Sequence, residues 1–348
     1  MNHGTAELSS KIHSTVSCVR WTVLVVVVLL SVASAVSAGQ QSSEVQQSRV
    51  KKIAFESGWT SSANVDASHS DVEGVGVAGS GPIRASIYVR DPIDSKPRYV
   101  AEGQYPSWSR DGMRVAYCTV DGALYGQIHI VNANGKGDHR LTHLSTGACF
   151  PEWSPDGREI AIAIMNGVTS KLAIVDESGK VLRELGDGNR PHWSPDGKQI
   201  VYVLPLPRMR VGSSIWTMNA DGSGVKELLE DKSDVVQADW LPNGSGILFT
   251  SARDGSAAVY TMDLEGKNVR KLGGDPMMRW YHPAMSPDGK SLIVDAVMLA
   301  QDPTRRLQVV EIDAETHRAK ILALGNHFGV FWGQAEEPKA QKDAGSGH

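Results

Sequence analysis

Short apolar triplets, recurring at a fixed distance, organise this chain. Ile53-Ala54-Phe55, Val115-Ala116-Tyr117, Ile160-Ala161-Ile162, Ile200-Val201-Tyr202, Ile247-Leu248-Phe249 and Leu292-Ile293-Val294 are each followed by an alternating run beginning at Ile87, Ile128, Leu172, Ile215, Val259 or Leu307. Continuous apolar triplets suit strands covered on both faces, and alternation suits strands covered on one. A weaker strand follows each pair, near Tyr99, Leu141, Leu182, Leu228, Leu272 and Ile321. No segment of this length carries helical spacing, so the pattern predicts an all-β protein.

A turn precedes each triplet after the first. It reads Trp108-Ser109-Arg110-Asp111-Gly112, Trp153-Ser154-Pro155-Asp156-Gly157 and Trp193-Ser194-Pro195-Asp196-Gly197, with the variants Trp240-Leu241-Pro242-Asn243-Gly244 and Met285-Ser286-Pro287-Asp288-Gly289. Pro presets φ, Asp suits the bridge conformation and Gly accepts positive φ, so each copy predicts a tight hairpin turn. Trp332 stands where a sixth copy would begin, and the spacings are 45, 40, 47, 45 and 47 residues. A period in the forties with one such turn per unit predicts four-stranded propeller blades. We label the strands A to D from the one that enters the turn; Trp108, Trp153, Trp193, Trp240, Met285 and Trp332 are its repeat residues. The first unit lacks a strand A and the last strand A lacks a unit. The expected fold is therefore a six-bladed β-propeller of antiparallel blades, closed by N-terminal strands B, C and D with the C-terminal strand A. Such closure removes free sheet edges.

Outside residues 53–332 the pattern changes. Residues 1–38 read as a secretory signal: Lys11 and Arg20 precede the apolar core Val23 to Leu30, and Val36, Ser37 and Ala38 supply small residues for cleavage after Ala38. Retention as an uncleaved membrane anchor is the alternative. Residues 39–52 are expected to form a linker, and residues 333–348 a disordered tail. The expected location is the periplasm or the exterior, without stable membrane insertion after cleavage. The net charge of −4 gives no overall field for a nucleic-acid backbone, which removes non-specific nucleic-acid binding. Three cysteines make neither a disulfide framework nor a C-x-x-C zinc site. Cys118 and Cys149 fall near one face in adjacent blades; a bridge is open to them, but two buried thiols are expected.

The repeated W-S-P-D-G turns, with their I-A-F-like and I-Y-V-like strands, resemble the propeller domain of the TolB family. The resemblance implies a propeller over most of the chain, residence in the periplasm, and a protein partner in the cell envelope, with a peptidoglycan-associated lipoprotein as the candidate. It implies no cofactor and no reaction. A monomer acting as a non-catalytic protein-binding platform is the expectation.

Candidate binding residues come from the face opposite the W-S-P-D-G turns, where the D-to-A and B-to-C connections lie. Arg190, Arg208, Arg210, Arg253, Arg279, Arg305 and Arg306, with His282 and His327, map to these connections. Guanidinium forks suit carboxylates and phosphates, so an acidic protein segment or an anionic sugar would dock there. Ordinary solvated loop charges, offset by neighbouring acids, are the plainer account of the same residues. His282 and His327 precede the innermost strands and are the weak candidates for a metal, while no H-x-H or H-E-x-x-H spacing is present. They carry the alternative functions: a propeller enzyme on anionic oligosaccharides, since His282 to Gly289 also resembles oligogalacturonate lyases, or a small-ligand sensor. A G-x-S-x-G nucleophile elbow is missing, which removes a serine peptidase.

Overall fold

Apolar B strands flanked by two others can bury both faces only if sheets stack side by side, and a ring of radial blades does so. In the computed structural model, which describes residues 52–57, 85–90, 95–119, 126–167, 169–206, 212–233, 235–298, 307–325 and 327–333, this is the arrangement found. Blade 2 contains β4 (Gln104–Trp108), β5 (Arg114–Cys118), β6 (Ile128–Asn132) and β7 (His139–Arg140). Blade 3 contains β8 (Ala148–Trp153), β9 (Glu159–Asn166), β10 (Thr169–Asp176) and β11 (Val181–Asp187). Blade 4 follows with β12 (Asn189–Trp193), β13 (Gln199–Pro205), β14 (Ser213–Asn219) and β15 (Lys226–Asp231). Blade 5 has β16 (Val235–Trp240), β17 (Gly246–Ser251), β18 (Ala258–Asp263) and β19 (Arg270–Gly273). Blade 6 has β20 (Met278–Met285), β21 (Ser291–Met298), β22 (Leu307–Asp313) and β23 (Ala319–Gly325). Blade 1 is the composite: β24 (His327–Gly333) pairs with β1 (Lys52–Ser57), followed by β2 (Ser86–Arg90) and β3 (Arg98–Glu102).

All six sheets are four-stranded and antiparallel. The closing register sets Ile53 opposite Trp332. The terminal strands include Lys52 and Gly333, one residue beyond each expected boundary. The export segment and the tail lie outside the described residues, as does most of the connection between β1 and β2 with Trp59, His69 and Asp71. Among the described residues no helix is long and apolar enough to cross a membrane.

The turns form for the reason their residues suggest. In four copies the serine hydroxyl donates to the aspartate two residues on, at 2.5 to 2.7 Å: Ser109 to Asp111, Ser154 to Asp156, Ser194 to Asp196 and Ser286 to Asp288. The same oxygen accepts the amide that starts strand B, as Ser194 does from Gln199 at 2.9 Å. The closing glycines sit at φ 65 to 74°. Where Leu241 replaces the serine, Ser245 supplies the hydroxyl to Asn243 instead, at 2.7 Å.

Between blades, Val115, Ile160, Ile200, Ile247 and Ile293 are fully buried, each contributing roughly 1.5–3 kcal/mol of apolar burial. Trp108, Trp153, Trp193 and Trp240 are 4 to 7% exposed. Two indoles cross the seam to the preceding blade: Trp193 Nε1 donates to the Glu152 carbonyl at 3.2 Å and Trp240 Nε1 to the His192 carbonyl at 3.1 Å. Farther out, the Arg183 guanidinium holds Glu159 at 2.7 and 2.9 Å and reaches the Ala220 carbonyl of blade 4. Strand D of blade 2 is shorter than the sequence suggests: only His139 and Arg140 pair, and Leu141 lies buried just beyond them.

Candidate functional site at the propeller axis

The innermost strands β4, β8, β12, β16, β20 and β24 each contact the next and close a ring. All six have a register irregularity: in β4, β8, β12 and β20 the residues three and two before the repeat position face one residue of strand B, in β16 those four and three before it do so, and in β24 a single residue is extra. The bulge lies between Gln104 and Ser107, Cys149 and Glu152, Asn189 and His192, Val235 and Ala238, and Tyr281 and Ala284; in β24 it leaves out Gly329. Bulges bend a strand and re-aim its side chains. Tyr105, Phe150, Arg190 and His282 adopt left-handed backbone there, with φ of 53, 54, 50 and 46°. Each precedes a proline (Pro106, Pro151, Pro191, Pro283), which has no amide to lose where the ladder is interrupted.

These four residues meet at the axis. Arg190, 5% exposed, lies with its guanidinium carbon 4.6 Å from the Phe150 ring centre and 5.3 Å from that of Tyr105. The two rings are themselves 4.3 Å apart. Aromatic faces attract a cation, and more so away from water. On the other side, Arg190 Nη1 is 3.3 Å from His282 Nε2, and His282 Nδ1 is 2.9 Å from Asp295 Oδ2. Guanidinium only donates and carboxylate only accepts, so a neutral His282 with its proton on Nδ1 satisfies both contacts. Asp295 is fully buried on β21. The chain Asp295, His282, Arg190 thus spans the ring from blade 6 to blade 4 and ends on aromatic rings of blades 2 and 3.

In blades 2 to 5 the residues one before the repeat position form a second polar group, made of Ser107, Glu152, His192 and Asp239. His192 Nδ1 is 3.7 Å from Asp239 Oδ1, and its Nε2 is 3.3 Å from Gln237 Nε2. Burial pushes the Glu152 carboxyl up to about 8; the Asp239 charge adds to this and the Ser107 hydrogen bond opposes it. Asp239 is raised by burial, against the pull of His192. His192 is lowered, by burial first, with Asp239 opposing and Arg190 and His282 adding to the shift. Asp239 keeps 27% of its side chain exposed, which limits how far burial acts on its charge.

The other candidate residues are placed differently. Arg253 is turned inward: its Nη2 is 2.7 Å from the buried Asp231, whose carboxylate also accepts from Ser233 and Ser251, and its guanidinium carbon is 5.3 Å from the rings of Phe249 and Tyr260. Burial works to raise the Asp231 carboxyl, but these hydrogen bonds hold it below the usual range. Arg279 is half-buried on β20, opposite Val297, with no side-chain ion pair among the described residues. Arg208, Arg210, Arg305 and Arg306 lie outside the described residues, as does the His327 side chain, although His327 opens β24 opposite Ser57. Of the expected set, the structure brings together Arg190 and His282, both buried where the innermost strands meet. Glu152, Gln237, Asp239 and Asp295 lie outside the expected set; for Glu152 the sequence signal is Pro151, two residues before the repeat tryptophan, while no such proline marks the other three. Among the described residues no three His, Cys, Asp or Glu side chains are grouped to hold a metal ion.

Cys118 and Cys149 are joined in a disulfide, with Cα atoms 5.1 Å apart. This corrects the expectation of two separate thiols. The end of strand B in one blade and the start of strand A in the next come within bridging distance.

The sequence profile of the TolB beta propeller domain matches residues 151–328. The Tol-Pal system protein TolB of Francisella tularensis is 27% identical over 189 residues, covering 54% of this chain and 34% of that protein. The chain thus spans about a third of the length of the curated TolB relatives it matches. An uncharacterized protein of Agrobacterium fabrum is 29% identical over 225 residues, covering 59% of this chain and 60% of its own. Among solved structures, a TolB candidate from Agrobacterium tumefaciens superposes with a TM-score of 0.57 at 20% identity, over 68% of this chain and 94% of that one. TolB from Acinetobacter baumannii gives 0.51 at 19%, over 68% and 65%. With its profile match covering half the chain and its six closed blades in agreement, this protein belongs to the TolB β-propeller family.

Proposed function

We propose that this propeller is an exported, monomeric, non-catalytic platform that binds a protein of the cell envelope through the face where its D-to-A and B-to-C connections emerge. The observation that carries this reading is the Asp295-His282-Arg190 chain: the two candidate chemistry-bearing residues that meet are spent on each other and on aromatic rings. Both ring nitrogens of His282 are engaged, so it is poorly placed to ligate a metal in the manner of the oligosaccharide-cleaving alternative. Recognition is then left to rim residues such as Arg279, which has no side-chain ion pair among the described residues. The Cys118–Cys149 disulfide supports export, because such bonds persist in oxidising compartments. The relative's name places it in a Tol-Pal system, which makes a peptidoglycan-associated lipoprotein the first partner to test.

The test is capture from solubilised envelope by the tagged chain, beside a variant with Arg279, Arg305 and Arg306 changed to alanine. A stoichiometric partner held by the wild type and lost by the variant is the expected result. Retention of no protein, or equal retention by both chains, overturns the reading.

A further inference from the structure

The disulfide occupies a particular place in the bulge pattern. Cys118 is the last residue of β5 and is paired with Gln104, immediately before the bulge that contains Tyr105. Cys149 is paired with Ala163, immediately before the bulge that contains Phe150. The bond therefore ties together the two bulges of blades 2 and 3 at their fixed ends. What leaves those bulges is the pair of rings 4.3 Å apart that flanks the Arg190 guanidinium. On its axial side β8 has no strand partner, since it is the edge of the order β11-β10-β9-β8. Both cysteines are buried, at 1 and 2% exposure.

The geometry points to an oxidation-dependent maturation step, in which closure of the Cys118–Cys149 bond fixes the Tyr105–Phe150 pair and thereby locks Arg190 across the axis. The reduced chain folds as a propeller with this axial end loose. In the step, two thiols give up two electrons and two protons. A disulfide-bearing oxidant accepts them: one thiolate attacks it to form a mixed disulfide, the other displaces it, and the oxidant departs as a dithiol. Once closed, the buried bond is shielded from thiol reductants, so the device works once, during folding. It goes beyond the partner-binding reading and does not depend on it.

The full chain is to be refolded with glutathione disulfide in one sample and with a phosphine reductant in another, alongside a Cys118→Ala, Cys149→Ala double variant. Peptide-level alkylation counts the free thiols, and amide hydrogen exchange follows each strand. The expected result is protection of both cysteines from alkylation in the oxidised sample only. Exchange at residues 105–108, 148–153 and 189–193 should be faster in the reduced and double-variant proteins by about tenfold or more beyond whatever acceleration the lower global stability gives β17 and β18. Oxidised Phe150→Ala should loosen residues 189–193 with the bond intact. Alkylation of both cysteines in the oxidised sample, equal exchange in all samples, acceleration spread evenly over the blades, or a reduced chain and double variant that both fail to fold would each overturn the proposal.

Discussion

Arg190 and His282 stand 92 residues apart in sequence and 3.3 Å apart across the propeller axis. The contact joins blade 4 to blade 6 without passing through blade 5. Because the imidazole is held by the buried Asp295, removing either partner leaves a polar group without its counterpart in a water-poor site. We expect Arg190→Ala and His282→Ala each to cost about 2–4 kcal/mol of unfolding free energy. The double variant should cost less than the two single effects combined, by about 1 kcal/mol or more, as for residues sharing one network. Urea denaturation of the four proteins measures the cycle; strict additivity would show that the pair is not coupled.

The carboxyl of Glu152 gives the fold a pH dependence of definite sign. Its pKa is raised from 4.5 to about 8, so the folded state holds a proton that the unfolded chain has released between these values. Its share of the stability is fully present below about pH 4.5, declines as pH rises towards 8, and is lost above. The slope from this one group approaches ~1.4 kcal/mol per pH unit at most. Glu152→Gln keeps the shape and removes the titration. The variant should match the wild type near pH 5 and melt at a higher temperature near pH 8.5; parallel melting curves across this range would refute the assignment.

How much of this was legible in the sequence follows from which forces act locally. The blades were legible because Ser194, Asp196 and Gly197 build their turn from their own hydrogen bonds and dihedral preferences, without help from the rest of the chain. The triplet Ile200-Val201-Tyr202 likewise announces a strand covered on both sides, and it is buried. Arg190 is buried, whereas arginine before a strand is ordinarily solvated. Here a bulge, signalled by Pro191, turns it inward onto rings contributed by strands 40 and 85 residues away in the chain. The disulfide departs from the expectation of two thiols for the same reason: the distance between Cys118 and Cys149 is set by how two blades pack, which no local pattern fixes.

Loss of the disulfide should also weaken the protein where its own sheet is least able to compensate. The cysteines are 31 residues apart and enclose β6 and the two-residue β7, the shortest outer strand in the propeller. A loop of this size predicts about 3–4 kcal/mol from restriction of the unfolded chain. The Cys118→Ala, Cys149→Ala variant should show that loss as a lower urea midpoint with an unchanged slope. A loss under about 1 kcal/mol would mean that blade packing alone already holds the enclosed segment.

Two glycines with nearly the same backbone separate dihedral strain from close packing. Gly289 closes the turn into β21 at φ 69°, and a Cβ there would meet nothing within 4 Å. Gly266, in the turn between β18 and β19, has φ 72°, but a Cβ there would lie 1.8 Å from the Leu228 carbonyl oxygen of blade 4. Gly179 repeats the arrangement two seams earlier, 1.9 Å from the Leu141 carbonyl oxygen of blade 2. At these two seams a glycine turn thus rests on the backbone of the preceding blade, which leaves a side chain no room. Gly289→Ala should cost only the left-handed strain, about 1 kcal/mol. Gly266→Ala adds the displacement of one blade against the next and should cost well over 2 kcal/mol, with faster amide exchange along β15 and β19. Equal destabilisation of the two variants, measured by denaturant titration, would show that the outer seam yields without penalty and that the blades are held together only at their inner strands.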